Sequence, residues 1–220
     1  MIPTICIGDI HGSTYWKTVV KKNPQCRYIF LGDYLDPYKK IARTALLDNL
    51  TAIINLKKEH PDEVVLLLGN HDLHYITDKA EMCSRYDDKI AIHAEPLFHD
   101  NIDLFQYAHQ IDNYIFTHAG ISQYWFVNDF KGDMHKNIAD QLNNCTESQE
   151  DALFACGFLR GGFHEKGGIF WADIYELTDP LQGYTQIVGH NRVDDIYDFS
   201  KDGGRIIFCD CLYNKHFWKI

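Results

Sequence analysis

The sequence predicts an α/β fold built on a parallel sheet, and three observations predict it. Short β-rich runs recur, each ending in a glycine. A helix-spaced segment separates two of them, and strand and helix signals alternate as they do in βαβ units. "PTICIG" ends at Gly8, "RYIFLG" at Gly32 and "EVVLLLG" at Gly69. Between the second and third, residues 44–60 place Leu46, Leu47, Leu50, Ile53 and Ile54 on one helix face, at i, i+3/i+4, i+7 spacing. Residues 78–110 are irregular and rich in His, Asp and Tyr, and read as a helical insert. "NYIFTHAG" is a fourth strand, residues 133–157 read as polar helix, and the four glycines of "RGGFHEKGG" require a loop. "YTQIVGH" and "GRIIFCDC" are two more strands, and "YNKHFWKI" closes the chain. No linker, low-complexity tract or internal repeat interrupts residues 1–220, which predicts a single domain.

Composition narrows the function classes. With 45% hydrophobic and 24% charged residues, the 220-residue chain can bury a sizeable core. A net charge of −10 argues against general nucleic-acid binding or an anionic membrane surface, both of which need a basic face. Phosphate remains a possible ligand where a metal or an arginine reverses the sign. The start "MIPTICIGDIHG" lacks the charged and apolar regions of a signal peptide. No apolar stretch is long enough to span a bilayer. Seven cysteines without a CxxC pair read as reduced core thiols, which predicts a cytoplasmic location and no structural zinc.

The polar residues collect at strand ends: Gly8-Asp9-Ile10-His11, Gly32-Asp33-Tyr34-Leu35-Asp36, Gly69-Asn70-His71-Asp72, Thr117-His118-Ala119-Gly120 and Gly189-His190. In a parallel sheet these carboxyl ends face one edge, where open α/β folds place their sites. Asp9, His11, Asp33, Asn70, His118 and His190 offer two carboxylates, three imidazoles and an amide. Such a set suits a hard or borderline divalent metal and is too large for one tetrahedral ion. Two ions bridged by one carboxylate fit the count, an arrangement that activates water for attack at phosphorus.

In order, "GDIHG", "GDYLDP", "GNHD", "THAG" and "VGH" resemble the motif series GDxHG, GDxxDRG, GNHE/D, HGG/HAG and GH of the calcineurin-like metallophosphoesterases, and within them the phosphoprotein phosphatase superfamily. "GNHDLH" with "HAGI" looks like the symmetrical diadenosine tetraphosphate hydrolases, and the second aspartate of "GDYLD" like the bacterial serine/threonine phosphatases. The resemblance implies a β-sandwich flanked by helices, in four α/β/β/α layers. It implies two divalent ions, manganese foremost, with iron and zinc also matching mixed N/O ligation. Asp9 and His11 would hold the first ion, Asp33 would bridge both, and Asn70, His118 and His190 would complete the second. His71 would be the general acid, oriented by Asp36, whose charge favours the imidazolium. The substrate would be phosphorylated: a phosphoprotein, a small phosphoester or a dinucleoside polyphosphate. A metal-containing interaction module without turnover is the alternative of another class.

The sequence departs from these motifs where phosphate should be gripped. Pro37 and Tyr38 follow Asp36 where the motif has an arginine and a glycine, and Leu68 precedes "GNHD". Arg192, two residues past His190, and Arg160 in the glycine-rich loop are the candidate substrate-binding residues, with Lys39, Lys40 and Arg43 behind them. An arginine forks two parallel hydrogen bonds to a phosphate, which lysine cannot copy. If Arg192 is not a phosphate ligand, a surface ion pair with Asp194 or Asp195 is expected. Asp72 reads as a helix cap. The remaining histidines, His74 among them, read as core, and Trp171 as core or groove wall.

Overall fold

The computed structural model describes residues 2–220, and the β-rich runs form two five-stranded sheets rather than one. In the first, β1 (Thr4–Ile7), β2 (Arg27–Phe30), β3 (Val64–Leu67) and β4 (Phe105–Gln106) run parallel. The second has the order β5 (Ala108–Ile111), β6 (Tyr114–Thr117), β7 (Thr185–Arg192), β9 (Gly204–Asp210), β8 (Tyr197–Lys201). Its three central strands are parallel and its two edge strands antiparallel. The closing segment supplies β10 (Trp218–Lys219), antiparallel to β1.

The correction from one sheet to two has a simple physical cause. A strand buried on both faces reads as a continuous apolar run, whether its second face meets a helix or another sheet. The period-2 alternation of strand side chains sorts the layers. Ile5, Ile7, Tyr28, Phe30, Val64 and Leu66 pack against helices, joining Trp16 and Val19 of α1 (Tyr15–Lys22) and Leu46, Leu50, Ile53 and Ile54 of α2 (Arg43–Glu59). Their alternates Cys6, Ile29, Leu31, Val65 and Leu67 meet Phe116, Ile187, Ile207 and Cys209 of the second sheet. The other face of that sheet, Val188, Ile206 and Phe208, is covered by Ala119, Ala172 and Leu177. The β-sandwich flanked by helices is therefore the observed fold.

The helix expected over 44–60 is α2, displaced by one residue at each end. A four-residue helix, α3 (Asn70–Leu73), follows β3. The insert expected to be helical over 78–110 is helical in α4 (Asp88–His99), where Asp87 accepts a hydrogen bond from the Lys89 backbone N–H, and in one short 3-10 turn, Ile102–Leu104. It then turns into β4 and the start of β5. Residues 133–157 split into α5 (Ile138–Asn143) and α6 (Glu147–Leu153), because Thr146 and Gln149 form a capping box that starts a new helix.

Candidate active site

The carboxyl ends of β1, β2, β3, β6 and β7, drawn from both sheets, converge on one cleft. Sharp backbone turns put them there. Nine described non-glycine residues have positive φ, and five of these surround the cleft: His11 (40°), Asp33 (54°), Asp36 (54°), Arg85 (68°) and His190 (58°). Such angles strain a residue with a Cβ and persist where the surroundings impose them. Close approach requires glycine at two positions. A Cβ on Gly69 would lie 2.2 Å from Asp33 Oδ1 and 2.7 Å from His118 Cε1, and one on Gly189 would lie 2.2 Å from Asp9 Oδ1. A register shift between Val188 and Arg192 re-aims β7 where His190 leaves it.

Among the six candidate ligands, His190 donates its backbone N–H to Asp9 Oδ1 at 2.9 Å, but the His11 and His118 rings meet acceptors. His11 Nδ1 faces the Leu35 carbonyl at 2.9 Å, and His118 Nδ1 faces the Leu31 carbonyl at 2.7 Å. A carbonyl only accepts, so each Nδ1 carries the proton and each Nε2 presents a lone pair. Burial holds both imidazoles down at about 3, so they are neutral. The His11 Nε2 lone pair faces Asp33 Oδ2 at 3.5 Å and Asp9 Oδ2 at 3.9 Å. That of His118 faces Asn70 Oδ1 at 2.8 Å and Asp33 Oδ1 at 3.5 Å. His190 Nδ1 is 3.0 Å from the same Asn70 oxygen, and its Nε2 is buried without a partner. Acceptors facing acceptors call for cations between them. Donor atoms around one ion at roughly 2.1 Å stand about 3–3.5 Å apart. The backbone carbonyls behind His11 and His118 orient the rings as the outer partners of metal-binding histidines do. Burial, then neighbouring carboxylates, push Asp9 and Asp33 up, a repulsion that divalent cations would relieve. The donor set thus fits two ions, with Asp33 presenting one oxygen to each side.

His71 and Asp36 form a second cluster beside the first. His71 Nδ1 lies 2.8 Å from Asp36 Oδ2, and His74 Nε2 lies 2.8 Å from the same oxygen, though off the hydrogen-bond line. Tyr75 donates its hydroxyl to Asp36 Oδ1 at 2.6 Å. Burial raises the Asp36 carboxyl, but these three partners outweigh it and hold the group at about 2. The expectation that Asp36 keeps His71 charged needs correction: burial, with Arg85 adding to it, leaves the imidazole below its ordinary range despite Asp36. Arg85 Nη2 stands 3.1 Å from His71 Nε2. A guanidinium only donates, so Nε2 accepts here and Nδ1–H donates to Asp36. His71, His74 and Cys83 also bring ligand-capable atoms together, but burial pushes the Cys83 thiol up and keeps it protonated.

A profile of the calcineurin-like phosphoesterase family matches residues 2–175. The chain belongs to that family. It is accordingly a metal-dependent phosphoesterase. His190 and Arg192 lie beyond the matched stretch, so their place at the site rests on geometry alone. Among solved structures, the chain is similar in fold to a cold-active protein-tyrosine phosphatase of a psychrophilic Shewanella species. That match has 17% identity over 98% of this chain and 72% of the other, with a TM-score of 0.62. A protein serine/threonine phosphatase from Saccharomyces cerevisiae, described as similar to human phosphatase PP5, matches at 17% identity. It covers 94% of this chain and 67% of that one, with a TM-score of 0.53.

Around this phosphoesterase centre, the two arginines expected to bind phosphate separate. Arg160 is tethered, its Nε 2.8 Å from Asp173 Oδ2 and its Nη2 2.5 Å from Asn191 Oδ1. Arg192 lines a cleft of about 380 Å³ with Asp9, His11, Tyr38, Asp210 and Tyr213. Its guanidinium stacks 3.8 Å over the Tyr213 ring and 4.9 Å over Tyr38, not against Asp194 or Asp195. Asp194 instead accepts from the Tyr213 hydroxyl, and Asp195 pairs with His216. Trp171 stands edge-on to His190, as a groove wall would. Asp72 does cap, accepting from the Gly69 N–H at 2.8 Å, but it also accepts from the N–H groups of Asp33 and Tyr34. Four residues at the cleft escaped sequence reasoning. Arg85 and Tyr38 lie beside His71 and His11. Asp210 ends β9 next to Asp9, its Oδ2 buried and unpartnered. Cys83 accepts from Asn70 Nδ2 at 3.0 Å, which turns the amide oxygen toward His118 and His190. The "FCDC" signal for Asp210, a polar residue at a strand's carboxyl end, was present in the sequence.

Proposed function

We propose that the chain hydrolyses phosphate monoesters or phosphoanhydrides with two divalent ions. The observation that carries this is the pair of Nε2 lone pairs of His11 and His118 facing the two oxygens of one buried carboxylate, Asp33, with the Asn70 amide oxygen against the same His118 nitrogen. Asp9, His11 and Asp33 would hold one ion, and Asp33, Asn70, His118 and His190 the other. Manganese is the first candidate, since imidazole with carboxylate and amide oxygens suits it as well as iron or zinc. Such ions supply, when bound, polarisation of a phosphoryl oxygen and activation of a water for in-line attack.

The chain's own residues do the rest. Asp36 holds the His71 ring by its Nδ1 and turns Nε2 toward the cleft. Once Nε2 has taken up a proton from solvent in place of its contact with Arg85, it delivers that proton to the departing oxygen, which general-acid catalysis requires to be within hydrogen-bond reach. Cys83 keeps the Asn70 oxygen aimed inward. Arg192, supported on Tyr213, faces the same cleft as Asp9 and His11 and would meet the substrate. The substrate classes are a phosphoprotein, a small phosphoester and a dinucleoside polyphosphate. Six buried cysteines and one half-buried, all free, suit a reducing compartment such as the cytoplasm.

The test is hydrolysis by manganese-loaded protein of p-nitrophenyl phosphate, a phosphopeptide and diadenosine tetraphosphate. Turnover of at least one is expected, and the preferred one names the class. Protein that holds two ions and turns over none of them is an interaction module instead.

A further inference from the structure

Arg85 stands beside the candidate proton donor and, among the described residues, has no carboxylate partner. Arg43, Arg160 and Arg205 are paired with Asp87, Asp173 and Asp198. Arg85 forms no ion pair among the described residues. Its Nε–H donates to the Asp36 carbonyl at 3.0 Å, and its Nη2 reaches His71 Nε2 at 3.1 Å. Among the described residues, no carboxylate or backbone carbonyl accepts from the Nη1 amine, and the guanidinium also reaches the Tyr38 hydroxyl. The guanidinium lies 3.9 Å over the Tyr38 ring, and that ring meets the His11 ring edge-on at 4.8 Å. The His11 and His71 rings are themselves 5.2 Å apart. Arg85 therefore stands within one side chain of both the candidate metal centre and the candidate proton donor.

Two features argue against a merely structural role. The Arg85 backbone sits at φ 68°, a conformation disfavoured for a long side chain, which the loop sustains only under constraint. The residue is also exposed at the cleft mouth, so its fixed charge is open to an incoming anion. A fixed charge without a carboxylate partner, stacked flat on an aromatic ring, has the planar fork that fits two phosphate oxygens.

We propose that Arg85 grips the non-bridging oxygens of the substrate phosphoryl group, with Tyr38 as the platform that holds its plane. This deepens, and rests on, the proposed phosphoesterase function. The ligand contacts come from the Nη1 amine and from Nη2, which exchanges His71 Nε2 for a phosphate oxygen. The exchange frees Nε2 to take up a proton from solvent and pass it to the departing oxygen, so binding and proton delivery are coupled through one side chain. Arg192, on the other side of the cleft, is left to contact the rest of the substrate.

The experiment measures inorganic phosphate binding to the manganese-loaded protein by calorimetry, together with phosphate inhibition, kcat and KM. It compares the wild type with Arg85→Ala, Arg85→Gln and Arg85→Lys. Arg85→Ala and Arg85→Gln should weaken phosphate binding by roughly 10- to 100-fold, the usual worth of hydrogen bonds from a charged donor. KM should rise with it, while metal content by elemental analysis stays unchanged. Arg85→Lys should recover part of the affinity, and free guanidinium should restore phosphate binding to Arg85→Ala. Gln fills most of the same volume, so its result stands even if the alanine variant unfolds. Wild-type phosphate affinity in Arg85→Gln, with or without a fall in kcat, would overturn the assignment and leave Arg85 as a positioning residue for His71. The calorimetry does not depend on turnover. A wild type that binds phosphate and hydrolyses nothing counts against the proposed function, whereas an affinity indifferent to Arg85 counts against this inference.

Discussion

Replacing Asp36 by asparagine should cost stability that depends on pH in a defined way. The carboxyl is about 1% exposed as a side chain and is held at about 2 against an ordinary 3.8. A difference of nearly two pH units corresponds to about 2.5 kcal/mol in favour of the ionised, folded form. The substitution keeps the shape, but it removes the charge and sets an amide N–H2 against either the Tyr75 hydroxyl or the imidazole N–H donors. Because the folded value lies below the unfolded one, the stabilisation is fully present above about pH 4 and is lost as pH falls toward 2. Urea unfolding of wild type and Asp36→Asn, both metal-free in chelator, reads this directly. At pH 7 the variant should be weaker by about 2 kcal/mol, equivalent to a fall in Tm of roughly 4–8 °C for a chain of this length. The gap should hold from pH 8 to about pH 5 and narrow below pH 4. A loss under about 0.5 kcal/mol at pH 7, or an equal loss at pH 3, would refute the reasoning.

Asp33→Asn should lose most of both ions and nearly all hydrolysis, since both sides of the site face its two oxygens; elemental analysis finding two tightly held ions would remove its bridging role. His71→Asn should keep the metals yet lower the rate by about 10²–10⁴-fold, and by less for p-nitrophenyl phosphate than for an alkyl phosphate. Equal losses on the two esters would rule out proton donation. Gly69→Ala should destabilise the chain by about 1–3 kcal/mol and weaken metal binding, because its Cβ would stand 2.2 Å from Asp33 Oδ1. Unchanged metal affinity would show that the approach is not needed.

The candidate ligands were legible because each lies within four residues of a strand end, in a local stretch with its own glycine. Asp9, Asp33, Asn70, His118 and His190 needed only the strand assignments and the inference that parallel strands end together. The residues that were missed act across distance. Arg85 reaches back 49 positions to the Asp36 carbonyl from an irregular segment with no periodic signal, and Cys83 reaches 13 positions to Asn70. The charge of His71 was misjudged for a related reason: the sequence shows the carboxylate that favours imidazolium, but not the burial that opposes it. The sandwich was invisible to strand patterns alone, since Ile29, Leu31, Val65 and Leu67 read the same facing a sheet as facing a helix.

The loops after β2 and β3 are held as one unit by an exchange of carboxylates. Asp72, in the second loop, accepts from the Asp33 and Tyr34 N–H groups of the first. Asp36, in the first, takes the imidazoles of His71 and His74 and the hydroxyl of Tyr75 from the second. Neither loop has the means to order itself. A helix of four residues such as α3 has no intrinsic stability, and the positive φ angles of Asp33 and Asp36 are strained. Each clamp supplies what the other loop lacks, and both are buried, so breaking one leaves a charge or several donors unsatisfied. The same exchange places Asp33 against the His71 N–H at 2.9 Å, which ties the candidate bridging carboxylate to the candidate acid through a single peptide group. The second aspartate of "GDYLD" and the aspartate of "GNHD" are thus two ends of one device. Removing either should disturb metal binding and proton delivery together.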